Sequence, residues 1–120
     1  MEASELLEQY ASGQRNFSQA DLSHIQLFNQ KLSFTNFSGA NLSEADLRSI
    51  DLFGANLTWT NFRNANLAGA NLSRTNLRGA KLEGADLRRT NLRGANLKGI
   101  FFDKQTQFPD KFKLHSSRTK

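Results

Sequence analysis

The sequence of 120 residues has no cysteine, a single proline and no long apolar run. Without cysteine there can be no disulfide, no thiol nucleophile and no Cys-ligated metal site. No stretch approaches the roughly 18 apolar residues of a membrane-spanning helix, so we expect no membrane partner. Acidic Glu2, Glu5 and Glu8 stand where a signal peptide would be basic, which predicts a cytoplasmic protein.

Residues suited to catalysis are equally scarce. The two histidines, His24 and His115, lie far apart in the sequence, and neither is accompanied by a set of metal ligands. Phosphate-binding loops and dinucleotide-binding motifs are also absent. The sequence therefore predicts no catalytic residue, no cofactor and no metal site, and we expect a protein that is not an enzyme.

What the sequence does contain is a large apolar side chain at every fifth position between Arg15 and Lys104. A period of five advances about 140° around an α-helix and alternates between the two faces of a strand, so neither element would gain a continuous core. A fixed internal period is typical of a solenoid. The eighteen positions are Phe17, Leu22, Leu27, Leu32, Phe37, Leu42, Leu47, Leu52, Leu57, Phe62, Leu67, Leu72, Leu77, Leu82, Leu87, Leu92, Leu97 and Phe102.

The positions around these apolar residues also repeat. Two residues earlier, nine are Ala, four Thr and three Ile; one residue earlier, ten are Asn and four Asp; two residues later, seven are Gly. These columns resemble the pattern A(D/N)LxG of the pentapeptide-repeat family, which residues 65–69 match fully and residues 85–89 match except at the last position. The resemblance implies an all-β solenoid, a right-handed quadrilateral β-helix with four pentapeptides per coil and about 4.5 coils.

Four pentapeptides per coil would stack residues that are twenty apart, so that the apolar residues form four inward columns. Each buried Leu or Phe would contribute roughly 1.5–3 kcal/mol, and the preceding Asn and Asp would bond to backbone groups at the corners. Gly two residues after the apolar position suits the positive φ of a type II turn, whereas Phe34, Glu44, Trp59 and Arg89 at equivalent positions do not. We therefore predict two types of corner.

Both ends of the repeat are expected to be covered, because solenoid ends expose apolar residues and unpaired backbone. Residues 1–14 are predicted to form an N-terminal capping helix, since apolar residues within 2–11 recur with the spacing of one helix face. Residues 15–104 would form the β-helix and residues 105–120 a C-terminal cap and basic tail. The C-terminal cap would consist of Phe101, Phe108, Pro109 and Phe112 folded over the last coil.

Four aromatic residues occupy outward positions and form the first candidate binding site. Phe28, Phe34, Phe53 and Trp59 either pack along the outer wall, as scattered exposed apolar residues do, or form an interaction patch. Phe34 and Phe53 are 19 residues apart, so they should be neighbours on adjacent coils.

Charge supplies a second candidate site, because residues 1–60 carry a net charge of −4 and residues 61–120 a net charge of +9. The basic outward residues of the second half form either a solvated, solubilising wall or an anion-binding face. The candidate anion-binding residues are Arg63, Arg74, Arg78, Arg88, Arg89, Arg93 and Lys98.

These features predict a non-catalytic scaffold or interaction module whose partner is another protein, because a filled interior leaves only the outer surface for recognition. The alternative is binding of a polyanion or nucleic acid by the basic C-terminal half, although no stacking aromatics interleave its arginines. The resemblance implies a third function, since one branch of the family binds topoisomerases as an acidic mimic of DNA. The basic wall does not fit that function. The sequence leaves the oligomeric state open.

Overall fold

The computed structural model of the protein describes residues 1–112. The predicted basic tail after Phe112, which includes His115, lies outside the described residues. Within them, one helix, α1, spans Ala3–Ala11, where the sequence predicts a helix over residues 2–11. The rest of the described chain forms coils that are joined by isolated parallel β-bridges rather than by longer strands.

The coils repeat every twenty residues. Each β-bridge along the repeat joins a residue to the one twenty positions later, beginning with Asn16 and Asn36. Backbone hydrogen bonds follow the same register, as when Leu47 donates its N–H to the carbonyl of Asn66 at 2.8 Å. A turn follows within two residues of every bridge, so no side of the coil is long enough for a regular strand. The fold is therefore a β-solenoid with four pentapeptides in each coil.

The interior of the solenoid is closely filled. From Phe17 to Leu87, all fifteen apolar residues at the five-residue spacing are at most 3% exposed. Ala, Ile and Thr side chains fill the space between them, and a buried Thr bonds internally, as when Thr35 donates its hydroxyl to the carbonyl of Leu32 at 2.8 Å. Large and small side chains thus share the interior at close packing. The predicted inward columns are confirmed from Phe17 to Leu87, whereas Leu92 and Leu97 are half-buried and Phe102 is 39% exposed at the end of the rod.

The Asn and Asp residues before each apolar residue hold the turns in place. In all fourteen cases the side-chain Oδ1 accepts the backbone N–H of the residue two positions later. Asn66, for example, accepts the N–H of Ala68 at 3.0 Å. The predicted structural role of these side chains is confirmed, and their oxygen atoms are occupied within the fold.

The prediction of two corner types is wrong. The backbone φ angle is +62° at Phe34, +58° at Glu44, +58° at Trp59 and +61° at Arg89, against +73° at Gly69. Trp59 donates its N–H to the carbonyl of Arg78 at 2.9 Å, and Gly69 donates in the same way to Arg88 at 2.9 Å. At both of these corners the second residue donates its N–H to a carbonyl of the next coil. These hydrogen bonds between coils impose the same turn on glycine and non-glycine residues. The left-handed conformation costs a non-glycine residue roughly 1–2 kcal/mol.

Besides the positive φ, a second factor favours glycine at some corners: the side chain twenty residues earlier leaves no room for a Cβ atom. A Cβ atom added to Gly54 would lie 2.6 Å from a ring carbon of Phe34, and one added to Gly79 would collide with the ring of Trp59. Side chains at corners lean toward the C-terminal end and cover the next corner. The aromatic rings of Phe34 and Trp59 therefore leave no room for a Cβ atom at Gly54 and Gly79.

Helix α1 covers the N-terminal end of the solenoid. Leu6 is completely buried against the first coil. The Tyr10 hydroxyl donates to the carbonyl of Ser33 at 3.0 Å, which satisfies an acceptor on the first coil. Arg15 donates to the carbonyl of Tyr10 at 2.8 Å and lies over its ring, 3.7 Å from the centroid. Ala3, Leu7 and Tyr10 also pack against the core, so the helix is fixed to the first coil by both apolar and polar contacts.

At the C-terminal end, one side of the last coil is covered by a segment that has one residue more than the repeat. Six residues rather than five separate Phe102 from Phe108, and Gln107 pairs with Asp86 one position out of register. In this longer segment the carboxylate of Asp103 accepts the N–H of Gly84 at 3.0 Å, where earlier coils use a backbone carbonyl.

Aromatic rings pack beside this segment. The Phe108 ring centroid lies 5.6 Å from that of Phe102 and 5.1 Å from that of Phe112. Phe101, in contrast, occupies an outward position, pairs with Lys81 and is 47% exposed. The expectation that Phe101 joins this aromatic cluster is therefore wrong, because its position in the repeat points away from the interior.

Candidate interaction surfaces

The two turn residues after each apolar residue form the four corners of the coil, and residues twenty apart share a corner. We name the corners by their first residues. Corner A begins with residues 18–19, corner B with 23–24, corner C with 28–29 and corner D with 33–34. The corner on which a side chain lies decides which other outward side chains it can contact.

Phe34 and Phe53 lie together on corner D. Their ring centroids are 5.5 Å apart and their planes are perpendicular, which confirms the predicted contact between adjacent coils. Phe34 is 63% exposed, whereas Phe53 is half-buried. Because the ring of Phe34 also covers Gly54, it is held against the rod while most of its surface faces solvent.

Trp59 and Phe28 lie on different corners from this pair. Trp59 is on corner A and 51% exposed, and Phe28 is on corner C and 52% exposed. The Phe28 ring has the guanidinium of Arg48 as its neighbour, 5.0 Å from the ring centroid. The structure therefore brings Phe34 and Phe53 together, places Trp59 one corner further on, and separates Phe28 from Trp59 by the diagonal of the coil.

The side of the coil between corners D and A, which we call the asparagine side, carries an outward Asn in every coil. The Oδ1 atoms of these residues accept backbone N–H groups, and Asn36 Nδ2 also donates to Asn16 Oδ1 at 3.4 Å. The outward polar groups of this side are therefore mainly Nδ2 donors. At this position each of the other three sides carries charged residues, so the asparagine side is an uncharged strip bordered by Phe34 and Trp59. Its members are Asn16, Asn36, Asn56, Asn76 and Asn96.

The seven basic residues predicted as an anion-binding face are distributed over all four corners. Positive charge therefore surrounds the C-terminal half of the rod and forms no single groove. Corner A carries Arg78 and Lys98, corner B carries Arg63, corner C carries Arg88 and Arg89, and corner D carries Arg74 and Arg93.

Two of these basic residues form ion pairs. Arg88 donates Nη2 to Asp86 Oδ2 at 2.7 Å and Nε to Asp86 Oδ1 at 3.0 Å. This side-chain hydrogen bonding holds the pKa of Asp86 below its usual value, although burial opposes the shift. Arg63 Nε lies 3.3 Å from an oxygen of Glu83. The charges of Arg63 and Arg88 are thus partly neutralised within the protein.

Two further classes of site were sought in the described part of the chain. No helix in residues 1–112 is long and apolar enough to cross a membrane. Over the same residues, no group of three or more Asp, Glu or His side chains is arranged to hold a metal ion. The outward aromatic, asparagine and basic residues are therefore the features that remain for a binding surface.

Comparison with known proteins agrees with the repeat architecture. The sequence profile of pentapeptide repeats, in eight copies, matches residues 20–58, 31–69 and 70–104. The chain belongs to the pentapeptide-repeat family. Among curated proteins, none is similar enough to match this sequence.

Solved structures of pentapeptide-repeat proteins share the fold. Rfr23 of the cyanobacterium Cyanothece 51142 is 40% identical over 78% of this chain and 63% of its own, with a TM-score of 0.77. The protein alr5209 of Nostoc Pcc 7120 is 39% identical over 93% of this chain and 88% of its own, with a TM-score of 0.66. A pentapeptide repeat protein from the Arabidopsis thaliana thylakoid lumen is 27% identical over 89% and 74%, with a TM-score of 0.51. This chain thus spans less than two thirds of Rfr23.

Within this chain the corners carry the most varied residues, because the repeat holds the inward residue to Leu or Phe and most of the preceding residues to Asn or Asp. The aromatic and basic candidates of this chain all lie at corners. Sequence reasoning missed the asparagine side, although arranging the sequence in lines of twenty places Asn16, Asn36 and Asn56 above one another.

Proposed function

We propose that this pentapeptide-repeat protein is a non-catalytic interaction module that binds a protein partner at Phe34, Phe53 and Trp59. The filled interior supports a function without catalysis, because a substrate pocket would have to open among close-packed Leu, Phe and Ala side chains. The proposal includes a cytoplasmic location, which the acidic Glu2, Glu5 and Glu8 favour. It also includes a right-handed coil of about 4.5 turns, which the family pattern implies.

The main support for this proposal is that Phe34 and Trp59 destabilise the free protein, through backbone strain and exposed apolar surface. Both adopt φ near +60°, where a large side chain is strained by roughly 1–2 kcal/mol, and both expose more than half of their surface. Glycine stands at seven equivalent corners, so the fold itself does not require an aromatic residue there. Exposed aromatic residues that are held in one position are typical anchors of protein interfaces.

The asparagine side suits the centre of such an interface. Interface cores are depleted in charged residues, and this strip carries none between the two aromatic corners. Its outward Nδ2 groups can donate hydrogen bonds to backbone carbonyls of a partner. Phe34 and Trp59 would then flank the bound segment on its two sides.

Trp59→Gly and Phe34→Gly test the proposal without loss of the corner turn, because glycine accepts a positive φ. Parent and variants would be immobilised and exposed to extract of the native host, and the captured proteins would be compared by quantitative mass spectrometry. We expect a protein that the parent retains and that binds each variant more than about tenfold more weakly. Since Trp59 is the only tryptophan, its fluorescence should shift to shorter wavelength when that purified protein is added.

Phe28→Ser is the matched control, because Phe28 is similarly exposed but lies on corner C. Its capture profile should equal that of the parent. The proposal fails if no captured protein depends on Phe34 or Trp59, or if removing Phe28 abolishes capture of the same protein.

Binding of a polyanion is a second candidate, favoured by the charge of the last coil. That coil carries a basic residue at each of its four corners, namely Arg88, Arg93, Lys98 and Lys104. We expect labelled DNA to be retarded in a gel at about 50 mM salt and released by about 200 mM, since phosphate contacts weaken steeply with salt. A complete absence of retardation at low salt would remove this candidate.

A further inference from the structure

The last coil ends in an unpaired backbone edge. In the coil before it, Leu72 donates its N–H to the carbonyl of Asn91 and Arg74 donates to that of Arg93, each at 2.8 Å. Among residues 1–112, the equivalent groups one coil later make no such bond. These groups are the N–H of Leu92, Gly94, Leu97 and Gly99 and the carbonyl oxygens of Thr90, Ala95 and Ile100.

Apolar side chains along this edge are incompletely covered. Leu92 and Leu97 are half-buried, whereas Leu72 and Leu77, which occupy the same columns one coil earlier, are completely buried. The edge runs along two sides of the coil, within residues 90–100, and we call it the open edge. It offers both backbone hydrogen bonds and apolar surface to one more layer of chain.

Within residues 1–112, both ends of the rod are otherwise covered. At the N-terminal end, α1 covers the first coil and Leu6 is completely buried beneath it. At the C-terminal end, Asp103 and Gln107 already bond to the coil below them. The open edge is the part of the last coil that neither arrangement reaches.

Basic side chains flank the open edge. Arg93 lies at corner D and Lys98 at corner A, so each would lie beside the equivalent residue of an added strand. Neither forms an ion pair with the described residues. Opposite charges side by side on neighbouring strands contribute roughly 0.2–1 kcal/mol, and like charges oppose pairing.

We propose that the open edge binds an extended, acidic segment of a partner protein, which adds as a further layer of the solenoid. Strand addition of this kind takes its affinity from main-chain hydrogen bonds and its specificity from alternate side chains. An inward Leu would cover Leu92 or Leu97, and acidic residues would lie beside Arg93 and Lys98.

A second copy of this chain fits the edge poorly. Its own last coil is basic, and its exposed Glu2, Glu5 and Glu8 lie on or beside α1, where the backbone is already bonded within the helix. Like charges at the two edges would oppose their pairing. The proposal concerns different residues from the aromatic site, so either can fail while the other holds.

The probe is a fluorescein-labelled peptide of two Ala-Asn-Leu-Glu-Gly repeats, whose binding to the full chain is measured by fluorescence anisotropy. We expect it to bind at least about tenfold more tightly than the same peptide with Lys for Glu, and more tightly than one with Asn for Leu. In hydrogen exchange, bound peptide should slow the amides of Leu92 and Leu97.

Lys98→Glu and Arg93→Glu should weaken binding of the acidic peptide and strengthen binding of the peptide with Lys for Glu. Lys31→Glu makes the same change of charge near the other end of the rod and should alter neither. Several results would overturn the proposal: no binding at low salt, equal binding of both peptides, equal competition by an oligonucleotide, or dimers that the peptide dissociates. Slow exchange of Leu92 and Leu97 in the free protein, lost when residues 113–120 are removed, would also overturn it.

Discussion

Gly54 and Gly79 lie beneath the rings of Phe34 and Trp59, and this contact restricts which residue each corner accepts. Positive φ alone does not explain these glycines, because ten non-glycine residues of the coils adopt the same backbone region. At these two corners the ring from the coil before occupies the place of a Cβ atom. At the scale of one residue, a corner beneath an aromatic ring thus depends on its neighbour twenty positions earlier.

Gly54→Ala should therefore destabilise the protein more than the same change at Gly69. Both glycines have φ near +70°, so both variants incur roughly 1–2 kcal/mol of backbone strain. A methyl group at Gly54 also meets the Phe34 ring, which adds about 1–3 kcal/mol of overpacking, whereas at Gly69 its nearest neighbour is Ser49 Oγ at an ordinary 3.4 Å. Urea unfolding measures both free energies, and adding Phe34→Gly should remove the excess at Gly54. Equal losses for the two variants would contradict this account.

Protonation of Asp86 provides a second prediction at this scale. Hydrogen bonds from the Arg88 side chain hold the pKa of Asp86 below the usual value of an aspartate, despite burial. A lowered folded-state pKa adds stability that is present above the unfolded value and is lost as pH falls through the folded value. Asp86→Asn should therefore destabilise the protein more at pH 7 than at about pH 2, which urea unfolding at each pH would measure.

The design of this variant separates the ion pair from the turn. Asn in this column still accepts the N–H two residues later, as it does at Asn66, so only the bonds to the guanidinium are lost. Asp51→Asn, where no arginine side chain bonds the carboxylate, is the control. If the parent protein and Asp86→Asn lose the same free energy of unfolding between pH 7 and pH 2, the ion pair with Arg88 does not stabilise the fold.

At the scale of elements, α1 is stable only because it is docked on the first coil. A nine-residue helix is too short to persist alone in water, so its order depends on packing. Leu6 supplies the buried contact, and Tyr10 supplies a hydrogen bond to Ser33. The helix and the first coil should therefore lose their order together.

Leu6→Ala should lower the free energy of unfolding by about 2–5 kcal/mol, as buried Leu-to-Ala changes do. Leu7→Ala is the matched control, because Leu7 is on the same helix but only half-buried, and its effect should be clearly smaller. Urea unfolding followed by circular dichroism gives both values. If Leu7→Ala is the more damaging change, the helix does not dock through Leu6.

Much of the solenoid could be predicted from the sequence because its determinants are periodic. The apolar residues from Phe17 to Leu87 repeat without interruption, Asn or Asp precedes most of them, and the same contacts recur in each coil. The corners could not be predicted in this way. Phe34 and Trp59 disfavour a positive φ locally, but the hydrogen bonds between coils are tertiary and override that preference.

Features that break the period were also hidden from the sequence. The role of Asp103 depends on one inserted residue, which moves its carboxylate to the N–H of Gly84. The positions of Arg63, Arg88 and Lys98 on different corners, in contrast, follow from their numbers once the coil length is twenty. The candidate anion-binding face was defined by the charge of its residues. Residues twenty apart share a corner, so position within the repeat decides which of these side chains lie together.

At the scale of the whole molecule, each coil contacts only its neighbours, so stability is expected to vary along the rod. Middle coils are covered on both faces and their apolar residues are completely buried. The first coil is covered by α1, whereas the open edge leaves part of the last coil uncovered among the described residues. The same side chain should therefore contribute less at the C-terminal end than in the middle.

Leu57 and Leu97 belong to one inward column and allow this gradient to be measured. Leu57 is completely buried, so Leu57→Ala should cost about 2–5 kcal/mol in urea unfolding, while Leu97→Ala, at a half-buried site, should cost less than half as much. Acidic peptide at saturating concentration would bury Leu97 under a further layer and should raise the cost of Leu97→Ala toward that of Leu57→Ala. Equal costs without peptide would mean that the last coil is already covered, and an unchanged cost with peptide would mean that the peptide binds elsewhere.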